Sequence, residues 1–481
     1  MPEFYVRDEH VPMHYYEAMQ IFAHIFGMPE LHTGAEIPEG ADAILVSEGN
    51  PFFLTACDAQ KSAEADDPVF GKHPQLSNDR NLLKRLLYKR LTEIYNYESP
   101  WGALTGVRPT KVLTNLVRYG LTDDEIREHF RKFYYMSESK IGLCFDTYYN
   151  QKDFLGVPDS KICGFYIGIP FCPTVCSYCT FGSSPIARYA KRVPEYVDYL
   201  IKEIEFTAGL MRGRYEPESI YVGGGTPTSV DGESLEKILS AVADNFDISG
   251  LKEFCVEAGR PDTITADKLK IIKNAGVTRI SINPQTMNDE TLLKIGRAHT
   301  RADIIRVYNE ARALGFDNIN MDIIAGLPDE STGDFEFTLE ELAKLKPDAV
   351  TCHTLALKRA SSLSKAADTK DRILPFETEK MVDSARRTLK NAGLRPFYLY
   401  RQKNCVGNNE NVSYAMPGKE SPYNIHIMEE DMTIIACGAG AVTKIIGEGT
   451  IDRFFNMKSV EDYFGMYQTV LERKRKAICS E

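Results

Sequence analysis

Three cysteines, Cys172, Cys176 and Cys179, fall in one short loop with C-x3-C-x2-C spacing. Thiolates this close in sequence can converge on one metal centre, because a short loop wraps its sulfurs around it. Their number restricts the metal. A closed structural zinc site takes four ligands, and a cubane cluster held by protein alone takes four cysteines. The nearest further thiol is Cys163, but the apolar run between them reads as a strand that carries it away. No histidine occurs between His129 and His299. Three thiols without a fourth partner point to a [4Fe–4S] cluster with one iron left open. Zinc and simple buried thiols are the alternatives.

Other polar residues recur where apolar runs end. Gly223-Gly-Gly-Thr226 follows one such run, and glycines there let backbone N–H groups approach a ligand closely. Glu257 closes Phe254-Cys-Val-Glu257; a salt bridge to Arg260 or Arg279 is its plain structural explanation. Gln285 ends the next run, and Arg297 lies in the helical stretch beyond it. Asp322 sits among apolar neighbours in Asn320-Met-Asp-Ile-Ile-Ala-Gly326. Desolvating an unpaired carboxylate costs several kcal/mol, so Asp322 is expected to have a fixed partner.

These residues need a scaffold that brings strand ends together. From residue 164 short apolar strands alternate with helical stretches. Strands are expected near 164–169, 218–223, 252–257, 277–283, 317–324 and 348–355. Helices are expected near 190–210, 233–246, 265–275, 301–314 and 333–346. Strand-then-helix repetition predicts a parallel sheet with crossover helices. Six units are fewer than the eight of a closed barrel, so the fold class is α/β, a partial (β/α)6 barrel. The expected organisation is an extra N-terminal α/β domain over 1–155, the barrel over 156–365 and a small C-terminal domain over 366–481.

In the N-terminal region, Met13 to Phe26 has helical periodicity, and the apolar runs 43–46 and 51–54 could be strands. Asn78 to Tyr97 is a basic helix with Lys84, Arg85, Lys89 and Arg90, read as a solvated face, with a nucleic-acid or partner surface as the alternative. Trp101 to Lys111 holds the only tryptophan and reads as a docking loop, with anion binding as the alternative. Near the other end, a long helix is expected around Thr378 to Gly393 and a terminal one near 458–474.

Composition sets the outer limits. The 481 residues suffice for two or three domains. The net charge of −11 argues against a broad nucleic-acid-binding surface, while leaving room for a local basic pocket. No apolar run reaches the roughly 18 residues of a membrane span, and the first residues lack the pattern of a signal peptide. Eleven scattered cysteines read as reduced thiols, which predicts a cytoplasmic protein.

The cysteine spacing, Tyr166 before the loop and Tyr178 before its last cysteine together resemble the radical S-adenosylmethionine (SAM) superfamily. The flanking Y-x-G-x-P-F-C and the Gly223-Gly-Gly-Thr-Pro-Thr228 segment are similar to the oxygen-independent coproporphyrinogen III oxidase group, in its HemZ-like coproporphyrinogen dehydrogenase branch. The resemblance runs over roughly 160–445 and implies a radical SAM barrel. It implies that Cys172, Cys176 and Cys179 hold a [4Fe–4S] cluster. It also implies that SAM is contacted by Tyr166, Tyr178, Gly224, Gly225, Thr226, Glu257, Gln285, Arg297, Asp322 and Val442. The implied reaction is oxidative decarboxylation of coproporphyrinogen III propionates to vinyl groups. A reduced flavodoxin- or ferredoxin-type protein would supply the electron.

A tetrapyrrole with four propionates needs several cations. The candidates are Arg260, Lys358, Arg359, Arg395 and Arg401. Two positions depart from the established decarboxylases: Gly168 stands where they commonly have histidine, and Phe181 where they often have a further cysteine. The alternatives are the haem chaperone of the same superfamily and a radical SAM enzyme acting on another tetrapyrrole. The chaperone's H-N-x-x-Y-W signature reads Tyr423-Asn-Ile-His-Ile-Met428 here, and His426 is read as a surface histidine.

Overall fold

The computed structural model describes residues 3–6, 32–33, 43–47, 50–54, 56–76, 79–106, 108–156, 160–179, 184–358, 361–365, 375–402, 405–447 and 449–479. The expected helix at Met13 to Phe26, Phe181 and Arg359 lie outside the described residues. Two compact units are formed, one from 1–149 with 399–410 and the other from 150–398 with 411–481. No helix among the described residues is long and apolar enough to cross a membrane.

The first unit carries a four-stranded sheet. Strand Glu3–Val6 lies between His32–Thr33, to which it is parallel, and Ala43–Ser47, which runs antiparallel. Asn50–Leu54 completes it as the outer arm of a hairpin. Helices Ala56–Asp66, Asp79–Tyr95, Pro109–Arg118 and Asp123–Lys132 follow. The last begins at a reciprocal cap between Thr122 and Glu125, which satisfies N–H groups the helix leaves open. The helix over 79–95 corrects the expectation of a solvated basic face. Lys84 and Arg85 are buried, and Arg85 is paired with Asp66 at 2.5 Å. Burial works against the Asp66 carboxylate, but hydrogen bonds from Lys89 and Arg85 bring it down to about 2. The Trp101 indole is buried and donates to Glu410 at 2.7 Å, and Lys140 pairs with the other oxygen of Glu410 at 2.7 Å.

In the second unit six parallel strands run in chain order: β1 (Ile162–Ile169), β2 (Glu216–Gly224), β3 (Glu253–Gly259), β4 (Arg279–Ile282), β5 (Ile319–Ala325) and β6 (Ala349–Thr354). Their crossover helices are α1 (Val193–Met211), α2 (Gly232–Asn245), α3 (Ala266–Asn274), α4 (Arg301–Ala313) and α5 (Thr332–Leu345). Every strand and helix expected in this stretch is present, displaced by a few residues at most. The strands are apolar on both faces because helices cover one side and the barrel interior the other; Ile167, Val222, Val256, Ile280, Ile323 and Val350 are all buried. The helices begin where a side chain can cap them: Asp231, Thr265, Thr300 and Ser331 each accept a backbone N–H three residues on.

Both edges of this sheet are extended from the C-terminal segment. Beyond β6 lie β7 (Arg395–Arg401) and β8 (Glu410–Ala415), with β8 next to β6 and antiparallel to it. Beside β1 lie β9 (Thr433–Cys437), parallel to it, then β10 (Val442–Ile446) and β11 (Ile451–Phe455). The sheet is therefore open and mixed, with a six-stranded parallel centre.

Candidate functional site

In a parallel α/β barrel the strand ends converge on one face. Here the cysteine loop follows β1 and the glycine segment ends β2. The two are packed together: Gly225 N–H donates to the Ile169 carbonyl at 2.8 Å and Thr226 N–H to the Phe171 carbonyl at 2.7 Å. The Cys172 sulfur lies 3.4 Å from the Thr226 hydroxyl. A Cβ on Gly225 would stand 2.6 Å from the Phe171 carbonyl oxygen and 3.0 Å from that sulfur, so only glycine fits this approach. Gly224, at φ +116, takes a conformation side chains disfavour.

The rest of the loop is anchored to the segment after β4. Ser177 N–H donates to the Ile295 carbonyl at 3.1 Å and the Thr174 hydroxyl to the Gly296 carbonyl at 3.0 Å. Cys172 and Cys176 are buried and Cys179 is half-buried. Among the described residues no three His, Cys, Asp or Glu side chains gather tightly enough to hold a single metal ion. Three thiols on one short loop match the protein ligands of a cluster that leaves one iron open, where a closed zinc site would take four.

Glu257, on β3, accepts the Tyr221 hydroxyl at 2.5 Å, and the alternative of a salt bridge to Arg260 or Arg279 is not formed. Arg279 instead pairs with Glu253 at 3.7 Å. Burial raises Glu257 to about 7, with Asp322 adding to the effect against the hydrogen bond from Tyr221. The expected partners of Asp322 are present. Burial opposes its charge, but His353 and Asn320 hold its pKa below the ordinary carboxylate value. Asn320 donates at 2.7 Å, and His353 Nε2 is 3.8 Å away.

Gln285 sits at φ +69, strained for a side-chain-bearing residue, and exchanges backbone hydrogen bonds with Asp322 and Ile324 on β5. Its Oε1 is buried without a partner, as are Asn283 Oδ1 and Arg297 Nε. Arg297 otherwise donates to the Asn283 carbonyl at 2.5 Å and to the Tyr178 hydroxyl at 3.1 Å. Buried polar atoms of native proteins are rarely left unmatched. Unspent donors and acceptors beside the cysteine loop suit a polar ligand.

Tyr166 stacks with Tyr221 and Tyr423 inside the barrel. Val442 is half-buried at the start of β10, directly after the loop 438–441. That loop presses on β1: a Cβ on Gly438 would lie 2.3 Å from the Gly168 carbonyl oxygen. Asn283, Tyr221 and His353 were missed by sequence reasoning. For His353, near the end of β6, the strand-end rule that selected Asp322 would have found it.

Two of the candidate substrate cations are engaged inside the protein. Arg260 is buried and spent on Asp262, Thr174 and Cys176. Arg401 is buried over the Trp101 ring, donates to the carbonyls of Leu104 and Asn408, and is lowered to about 10 by burial. In both, hydrogen bonds inside the protein already take part of the guanidinium. Lys358 is half-buried shortly after β6, and Arg395 is exposed at the start of β7.

His426 corrects a second expectation. It is buried, with Nδ1 donating to Asp431 at 2.8 Å and Nε2 3.3 Å from Glu218. Burial alone would lower its pKa, but the two carboxylates push it up to about 9. A protonated imidazole engaged at both nitrogens has no lone pair for iron. The folded pKa is above the unfolded value of about 6.5, so its stabilisation is complete below pH 6.5 and is lost as pH rises through about 9. Thermal unfolding is expected to weaken over that window by up to about 3 kcal/mol, a slope that His426→Gln should flatten. A flat pH profile for the unsubstituted protein would contradict this.

A profile of the Radical SAM superfamily matches residues 166–342. A Bacillus subtilis (strain 168) protein named oxygen-independent coproporphyrinogen-III oxidase-like protein HemZ is 40% identical over 384 residues, covering 78% of this chain and 76% of that relative. The heme chaperone HemW of the same organism is 31% identical over 290 residues, 60% of this chain and 72% of its own. Among solved structures, Escherichia coli coproporphyrinogen III oxidase (HemN), a radical SAM enzyme, superposes with a TM-score of 0.53. The identity there is 21%, covering 65% of this chain and 70% of that one, a likeness of fold.

Proposed function

The chain belongs to the radical SAM superfamily, among HemZ-like relatives of oxygen-independent coproporphyrinogen III oxidase, and from that premise we propose that it oxidatively decarboxylates tetrapyrrole propionates. Cys172, Cys176 and Cys179 would hold the [4Fe–4S] cluster, with SAM beside it over the glycine segment. The carrying observation is the packing of Gly225 and Thr226 onto Cys172, with unspent polar atoms of Asn283, Gln285 and Arg297 facing the same strand ends. When bound, cluster and SAM supply a 5′-deoxyadenosyl radical able to take a hydrogen atom from an unactivated carbon.

The chain's own part is binding, orientation and exclusion of water. Asp322, held ionised by His353 and Asn320, offers a fixed negative charge to a cation. Glu257, poised near neutrality, offers a second acceptor beside it. The Arg297 guanidinium, whose Nε makes no hydrogen bond, can give one to a carboxylate. Coproporphyrinogen III is the proposed substrate. Each propionate loses a β-hydrogen, CO2 and one electron, leaving a vinyl group; the electron passes to an acceptor, and two rounds give protoporphyrinogen IX. A reduced flavodoxin- or ferredoxin-type donor is the proposed partner.

The test is anaerobic incubation of reduced, iron–sulfur-reconstituted protein with SAM and coproporphyrinogen III, with chromatography of the porphyrins. Protoporphyrinogen IX should form together with 5′-deoxyadenosine. SAM cleavage without loss of propionate would sink the decarboxylase reading. The haem-carrying alternative predicts tight haem binding without turnover, and the double engagement of His426 counts against that histidine as its ligand.

A further inference from the structure

Cys176 is met by two buried cations, Arg297, whose side chain reaches its thiol, and Arg260. Arg260 Nη1 points at the Cys176 sulfur from 3.8 Å and also donates to the Thr174 hydroxyl at 2.7 Å and carbonyl at 3.2 Å. Arg260 is 2% exposed. Its far side is locked by Asp262, which accepts from Nε at 3.0 Å and from Nη2 at 2.7 Å. His299 Nδ1 lies 3.5 Å from the same carboxylate. The pair is thus a fixed dipole with its positive end on the cysteine loop. A structural ion pair would not need to aim one nitrogen at a sulfur; this one does, from inside a low-dielectric wall.

Resting on the cluster reading above, we propose that Arg260, oriented by Asp262, is a tuning residue that makes the iron–sulfur cluster easier to reduce by acting through Cys176. Reduction adds one negative charge, shared onto the cysteine sulfurs. A hydrogen-bond donor and positive charge at a ligating sulfur stabilise the reduced state, and such contacts are among the levers that set cluster potentials. Asp262 has two opposed effects: it fixes the guanidinium and partly cancels its charge. Substituting each partner therefore separates tuning from mere support.

The experiment is an anaerobic redox titration of the reconstituted cluster, before SAM is added, followed by electron paramagnetic resonance. Arg260→Gln should disfavour one-electron reduction by about tenfold, 59 mV for one electron. Asp262→Asn keeps an acceptor for the guanidinium but removes the opposing charge, so it should shift the potential the other way. Arg260→Lys should fall between Arg260→Gln and the unsubstituted protein. A support role alone predicts lost iron in both variants, with no shift of opposite sign. If Arg260→Gln fails to hold iron, Asp262→Asn decides: an upward shift sustains the proposal, and an unchanged or lower potential overturns it. If the unsubstituted protein holds no cluster, the reading beneath fails instead.

Discussion

Cys176→Ala is expected to abolish iron and sulfide incorporation while the protein stays folded. The side chain is buried, but replacing a thiol by a methyl removes little volume, and the loop keeps its backbone anchors at Ile169, Phe171 and Ile295. What is lost is one of three sulfurs on a loop that offers no substitute. Cys163 is the informative control. It lies at the start of β1, in register with Thr433 and Pro217 at the opposite end of the strand from the loop. Burial raises its thiol far above the ordinary value, the mark of a packing residue and not a ligand. Cys163→Ala should leave iron content unchanged. Anaerobic reconstitution with iron and sulfide analysis checks both, and wild-type loading of Cys176→Ala would refute the assignment.

The largest expected loss of stability comes from Glu203 on α1. Its carboxylate is fully buried and takes the Gly438 N–H at 2.9 Å, the Asn456 amide at 2.8 Å and the Tyr463 hydroxyl at 2.6 Å. Lys474 is 3.4 Å away and 2% exposed. Three distant parts of the C-terminal segment are thus pinned to one helix, and with them the Gly438 loop that presses on β1 above the cysteines. Glu203→Ala strands the Lys474 cation in the interior, at a cost of about 3–5 kcal/mol. The unfolding transition should fall by about 4–7 °C. Glu203→Gln, which keeps most hydrogen bonds and loses only the charge, should fall less. Calorimetry on the full chain measures both; an Ala variant melting within a degree of the parent would show the network to be ornamental.

The loop spacing, the six strands and their five crossover helices were legible in the sequence, because each depends on short-range rules. Period-two and period-3.6 patterning, capping residues such as Ser331 and Thr300, and the confinement of polar residues to strand ends all act over a few residues. The strand-end rule also placed Glu257, Gln285 and Asp322 on one face, since parallel strands carry their ends to the same side.

The tertiary structure alone decided where buried charges find their partners. Arg85, Arg260 and Arg401 look alike in sequence to surface or substrate-binding arginines, yet each is buried and bonded in part to a residue far along the chain: Arg85 to Asp66, Arg260 to Thr174 and Arg401 to Leu104. Trp101 meets Glu410, 309 residues away, and His426 is clasped by Glu218 from β2. Likewise, no local pattern told that C-terminal strands would extend both edges of the barrel sheet, or that 399–410 would return to the first unit. The reason is physical. Backbone hydrogen bonding and periodicity are local. The neutralisation of a buried ion depends on whichever distant residue the completed fold brings within about 3 Å.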